Sequence, residues 1–207
     1  MAVPPHFPND PALRGAMSAL AIDKAALRRE IRARRAAFVA GLDAAALARH
    51  GQALAERLAP AFAHAPSVGG YAALGDEISV LAALERADAL GLATALPHVL
   101  RRDAPMLFLP WQPGAPLDTG WSGLAQPQAA EPMVPALILA PLLGFDRARH
   151  RIGQGAGFYD RWFALHPQAL RIGIAWSVQE EPQIPVDAWD MPLHAIVTEK
   201  EWIGPTL

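Results

Sequence analysis

The sequence predicts an α/β fold, a largely parallel sheet with helices on both faces. Two helical segments open the chain, and after residue 66 short apolar runs alternate with helical stretches. Runs of four to seven apolar residues bounded by Gly and Pro read as buried strands, and their alternation with helices favours parallel pairing.

The first helix is expected from Asp23, placed as its cap, to about Ala40, with Leu27, Ile31 and Phe38 on one stripe. Beside that stripe Lys24, Arg28, Arg32 and Arg35 stand at i, i+4, i+8 and i+11, so four cations share one face. Surface arginines usually have acids one turn away, and this face has almost none. A second helix is expected over 43–62, where Leu47, Gly51, Leu54, Leu58 and Phe62 repeat. Strands follow at 68–74, 92–96, 106–109, 137–140, 172–176 and 195–197, with a helix over 80–90 ending at Gly91. The stretch 110–135, with Pro113, Pro116, Pro127 and Pro132, has no periodicity and reads as a long surface loop.

Composition narrows the chemistry. The 207 residues carry 18 Lys plus Arg, 20 Asp plus Glu and no Cys. That excludes disulfide frameworks, cysteine-ligated metals and thiol catalysis. A net charge of −2 argues against nucleic acid as a partner, and no apolar run is long enough for a membrane span. A cytoplasmic monomer is the expectation. Residues 1–20, proline-rich and without a signal-peptide pattern, read as a disordered or loosely attached extension to a single domain over 21–207. Only two of the cations are Lys, Lys24 and Lys200, which singles each of them out.

The segment 142–163 is the most informative. It follows an expected strand and precedes an expected helix at about Phe158, so it lies where open α/β sheets bind ligands. Gly153, Gly155 and Gly157 alternate with Gln154 and Ala156, and Arg147, Arg149, Arg151 and Arg161 surround them. Backbone N–H groups in such a turn converge on an anion, and the helix start adds its positive end. Phosphate binding is the functional reading, close strand–helix packing the plain one. Asp160 is either a first-turn acid favoured by the helix dipole or a Mg²⁺ ligand. Asp190 reads as a turn residue. Asp76 is expected to cap a helix, leaving Glu77 either solvated or facing a cleft. Of the tryptophans, Trp111, Trp121, Trp162, Trp176, Trp189 and Trp202, most read as core or loop anchors. No HExxH or GxSxG pattern is present, so zinc hydrolysis and a serine elbow have no support.

Four segments together, 24–28 (KAALR), 76–78 (DEI), 131–132 (EP) and 145–160 ending in RIGQGAGFYD, resemble the 5-formyltetrahydrofolate cyclo-ligases, as does the tail from Pro185 to Glu199. The resemblance implies a Rossmann-like three-layer fold. It further implies an ATP-dependent, Mg²⁺-requiring closure of 5-formyltetrahydrofolate to 5,10-methenyltetrahydrofolate, with phosphorylation of the formyl oxygen. Carried over by position, Lys24, Ala25, Ala26, Leu27 and Arg28 would hold ATP. So would Arg151, Ile152, Gly153, Gln154, Gly155, Ala156, Gly157, Phe158 and Tyr159, with Lys24 and Arg151 as the catalytic cations. Ala72, Glu77 and the loop 154–158 would contact the reduced folate, and Asp160 and Asp190 would serve the metal. Gln154, Ala156 and Phe158 depart from the family's usual residues, and Ala156 requires φ < 0 there. A non-catalytic folate-binding protein and a sugar-phosphate isomerase are the competing readings.

Overall fold

In the computed structural model, Asp43 sits in extended backbone and its carboxylate accepts the Ala46 N–H at 2.6 Å, starting a helix as its sequence position demands. The structure describes the backbone of residues 11–187 and 190–205, and side chains from residue 24 onward within those ranges. Residues 1–10 of the extension expected over 1–20, the Asp23 side chain and Trp189 fall outside the described residues.

In chain order the elements are α1 (Pro11–Ala40), α2 (Ala44–Phe62), β1 (Ser67–Gly69), α3 (Leu81–Ala89), β2 (Ala93–His98) and β3 (Leu107–Pro110). Then come β4 (Leu117–Thr119), β5 (Ala125–Pro127), β6 (Leu137–Pro141), β7 (Gly144–Phe145), β8 (Arg151–Ile152) and α4 (Phe158–Leu165). The chain closes with β9 (Leu170–Ile174), β10 (Ala195–Val197) and β11 (Trp202–Ile203).

Three expectations need correction. Residue 23 lies inside α1, which begins at Pro11, so it is not a cap. The strand expected over 68–74 is only three residues long, because after Gly69 the chain leaves the sheet to line a pocket. The segment 110–135 is not structureless: β4 and β5 pair antiparallel within it. Its prolines hid the period, since strands this short show no alternation.

Seven strands form one sheet in the order β11-β10-β9-β6-β1-β2-β3. Neighbours from β10 to β2 run parallel, and the edges β3 and β11 are antiparallel. Alternation sets the layers. Leu137, Leu139, Ile172, Ile174 and Val197 face Leu54, Leu58 and Phe62 of α2 and Leu84 of α3. Ile138, Ala140 and Ile196 face Trp162 and Phe163 of α4. The expected three-layer α/β architecture is therefore present. Ile31 of α1 makes a smaller cluster with Leu143, Ile152 and Ile184, which seats α1 beyond the carboxyl end of β6. No described helix is long and apolar enough to cross a membrane.

From β1 the chain builds outward to β2 on one side and to β6, β9 and β10 on the other. The order thus reverses between β1 and β6, and a crevice opens at their carboxyl ends.

Candidate active site

That crevice is a pocket of about 350 Å³. Tyr71 and Ala72 enter it from beyond β1, Pro97 and Val99 from the end of β2, and Pro141 and Leu142 from the end of β6. Trp121 and Leu124 close it from the β4–β5 hairpin, and Gly153, Gln154, Ala156, Gly157, Phe158, Tyr159 and Asp160 form its opposite wall. Trp121 meets Phe158 edge to face at 5.8 Å. A larger hollow, about 770 Å³, at the far end of β2 is lined by one acid, Asp88, and no cation, which leaves it unsuited to an anionic ligand.

Two acids line the pocket, Glu77 and Asp160. Asp76 does not cap a helix; Arg35 takes its carboxylate at 2.5 Å. Glu77 bends back to accept the Leu74 N–H at 3.0 Å, across the turn that Gly75 makes with φ 58°. Burial pushes the Glu77 carboxyl above its ordinary range, against the opposing pull of the Leu74 N–H, Arg35 and Gln154. Around it stand the only two tyrosines of the chain, Tyr71 and Tyr159. Tyr71 donates to the Ile78 carbonyl at 2.7 Å. Among the described residues, the Tyr159 hydroxyl is buried with no hydrogen-bond partner. Burial first, and Glu77 second, push both phenols up, so both stay protonated.

The cationic face of α1 lies along the glycine loop. Arg28 Nε donates to the Gly153 carbonyl at 2.9 Å, Arg32 to Gln154 Oε1 at 2.6 Å, and Lys24 Nζ reaches Asp187 at 2.7 Å and Asp190 at 3.0 Å. The acids absent from the helix itself come from across the fold. Burial lowers the Lys24 pKa, but the two carboxylates outweigh it and the net shift is upward. Ala25 and Ala26 are exposed, and Leu27 packs with Ile31.

Gly155 and Gly157 need to be glycine, with φ 103° and 66° in the left-handed region. Gly153 and Ala156 do not adopt positive φ, so the alanine is accommodated. Gly157 starts α4 without any side-chain cap, leaving the first N–H groups of that helix for a ligand. Arg151, buried in β8, bridges this helix to the tail: Nη2 meets Asp160 Oδ1 at 2.5 Å, and Nη1 donates to the Met191 carbonyl at 2.8 Å. Asp190 Oδ2 also accepts the Asp187 N–H at 2.8 Å, so the turn reading of Asp190 holds beside its contact with Lys24.

The glycine loop, Glu77 and Asp160 thus meet at one crevice, with Arg28 and Arg32 against the loop and Asp190 beside Lys24. Sequence reasoning missed Tyr71, the Trp121 hairpin and the work of Arg35. The scarcity of tyrosine was the available signal for the first.

A profile of the 5-formyltetrahydrofolate cyclo-ligase family matches residues 21–199. The chain belongs to that family. A cyclo-ligase of Mycolicibacterium smegmatis is 34% identical over 152 residues, covering 66% of this chain and 75% of the relative. One from Haemophilus influenzae is 29% identical over 99 residues, covering 44% of this chain. There the match spans about half of the relative's length, 53%, and with the Escherichia coli cyclo-ligase it spans 38%. Among solved structures, the 5,10-methenyltetrahydrofolate synthetase of Aquifex aeolicus superposes with a TM-score of 0.71 at 26% identity, covering 86% of this chain and 91% of that one. The synthetase of Mycoplasma pneumoniae gives 0.66 at 24% identity, over 86% and 99%. The cyclo-ligase family and the three-layer fold expected from the motifs are therefore both established.

Proposed function

We propose that this chain closes 5-formyltetrahydrofolate to 5,10-methenyltetrahydrofolate at the expense of ATP, releasing ADP and phosphate. The observation that carries the reading is the meeting of two unlike sites. An aromatic and apolar pocket containing Glu77 has as one wall a glycine loop with Arg28 and Arg151 against it and Lys24 nearby on the same helix face as Arg28. The first suits a pterin ring, the second a polyphosphate.

The formyl oxygen is a poor leaving group. Its attack on the γ-phosphorus breaks the bond to the bridging oxygen and releases ADP. N10 then attacks the formyl carbon and loses its proton, and the C–O bond breaks with departure of phosphate. Such transfer asks the protein for position and charge rather than a nucleophile. Lys24, Arg28 and Arg151 supply charge, the uncapped start of α4 supplies N–H donors, and residues 153–159 hold the nucleotide against the folate. Glu77, Ala72 and the Tyr159 hydroxyl hold the folate.

A resident Mg²⁺ would neutralise phosphate charge. Among the described residues no three His, Cys, Asp or Glu side chains converge on one point, and cations engage one oxygen each of Asp160 and Asp190. That fits Mg²⁺ taking most of its ligands from phosphate and water, with Asp160 and Asp190 as its protein carboxylates. We take residues 21–207 as one catalytic domain, acting as a cytoplasmic monomer.

The test is incubation with 5-formyltetrahydrofolate, ATP and Mg²⁺, following methenyltetrahydrofolate absorbance. Product that requires both ATP and metal supports the reading. Tight folate binding without product would replace it with a binding protein, and indifference to folate would refute it.

A further inference from the structure

The turn that presents Glu77 is clamped from outside the pocket. Arg35 of α1 is 4% exposed and donates through Nη2 to Asp76 Oδ1. Trp176 Nε1 donates to the Asp76 carbonyl at 3.0 Å, and Glu77 N–H to the Leu74 carbonyl at 3.1 Å. The ion pair alone does not account for an arginine here. Among the described residues, Arg35 Nε and Nη1 are buried with no partner. A buried guanidinium using one of its nitrogens is expensive, and an apolar side chain of similar length would fill the space at lower cost.

We infer that Arg35 is a positioning residue for the folate-side acid: anchored on Asp76, its guanidinium fixes the turn that aims Glu77 into the pocket. It thereby ties that acid to the helix carrying Lys24 and Arg28. The inference rests on the activity proposed above. Burial disfavours the charged Glu77, and Arg35 opposes it. The other groups facing Glu77 are Asp76 in its own turn, Tyr71 beyond β1, Tyr159 of α4 and the Gln154 amide of the glycine loop. Asp76 and the phenols do not favour the carboxylate, so Arg35 is the cation that does.

The experiment compares wild type, Arg35→Met, Arg35→Lys and Arg35→Gln by kcat, both KM values and the pH dependence of kcat/KM for 5-formyltetrahydrofolate. Arg35→Met should raise the folate KM about tenfold, leave the ATP KM within about twofold, and move the acidic limb up by about one pH unit. Arg35→Lys, which keeps the charge, should restore most of the limb. An unmoved limb, or equal rises in both KM values, overturns the inference, since a merely structural arginine would lower stability without shifting a titration. If Arg35→Met does not fold, Arg35→Gln decides: it removes the charge while keeping a polar side chain, and a limb at the wild-type position would overturn the proposal. An inactive wild-type chain refutes the activity instead. The pH dependence of folate binding in the same variants then tests Arg35 alone, and an unshifted Kd profile overturns it.

Discussion

Replacing Gly157 by Ala separates backbone strain from packing in the glycine loop. Gly157 has φ 66° and ψ 18°, the left-handed region, at the start of α4. A β-carbon costs about 1–2 kcal/mol there. Its nearest neighbour would be Arg161 Nη1 at 3.1 Å, the end of a flexible side chain that can move away by giving up its 2.8 Å bond to the Ala156 carbonyl. The backbone term therefore dominates. For a chain of 207 residues it corresponds to a fall in Tm of about 2–8 °C. Gly153 is the internal control: it has no positive φ, and a β-carbon there meets nothing within 4 Å. Gly153→Ala should stay within about 0.5 kcal/mol of wild type. Because Gly157 aims the uncapped N–H groups of α4, Gly157→Ala should also raise the KM for ATP. Thermal unfolding and ATP kinetics on the two variants measure both effects. If the two alanine variants are equally stable, the conformational argument for this loop is wrong.

Lys24→Ala removes two charge-assisted contacts and should raise the KM for ATP, or lower turnover, by about tenfold to a hundredfold; wild-type kinetics would exclude a phosphate role. Arg in its place should rescue poorly, because a planar fork does not replace a point charge. Glu77→Gln should cut turnover yet match or exceed wild-type stability at neutral pH. The folded-state pKa of Glu77 is raised, so its stabilising contribution exists below the ordinary carboxylate value and is lost as pH rises through the folded one; urea titrations at several pH values would show that slope removed. Asp146 behaves oppositely. It is 3% exposed and accepts from Ile184 N and His150 N, each at 3.0 Å, and these bonds outweigh burial and lower its pKa. Its contribution is present above the ordinary Asp value and lost as pH falls through the folded one. Asp146→Asn should therefore cost about 1–3 kcal/mol near pH 7 and flatten acid unfolding.

Much of the site was legible because its chemistry is written in neighbouring residues. Gly155, Gly157 and Arg151 stand within seven positions of one another, and the four cations of α1 declare a shared face by spacing alone. The Arg35–Asp76 pair was not legible: its partners are 41 residues apart and belong to a helix and a turn with no common period. Nor did Glu77 reveal its burial, since the walls that desolvate it come from β1, α4 and the loop between β8 and α4. The start of α1 was misplaced for a related reason: an Asp before a periodic stretch looks like a cap whether or not the helix has already begun.

The even charge balance, the absence of Cys, the layer architecture and the family follow from the sequence alone, because composition and short-range period survive without the fold. Where the cations of α1 lie, against the glycine loop and the acids of distant turns rather than on an open face, was decided by the tertiary structure. Strand order places β1 beside β6, which opens the crevice, and α1 is seated beyond the carboxyl end of β6 through Ile31, against Leu143, Ile152 and Ile184. Only that packing brings residues 24–35 to the acids of 76, 187 and 190 and to the backbone of 153–154. Charge interactions at such separations along the chain depend on distance in space, and distance in space is what folding sets.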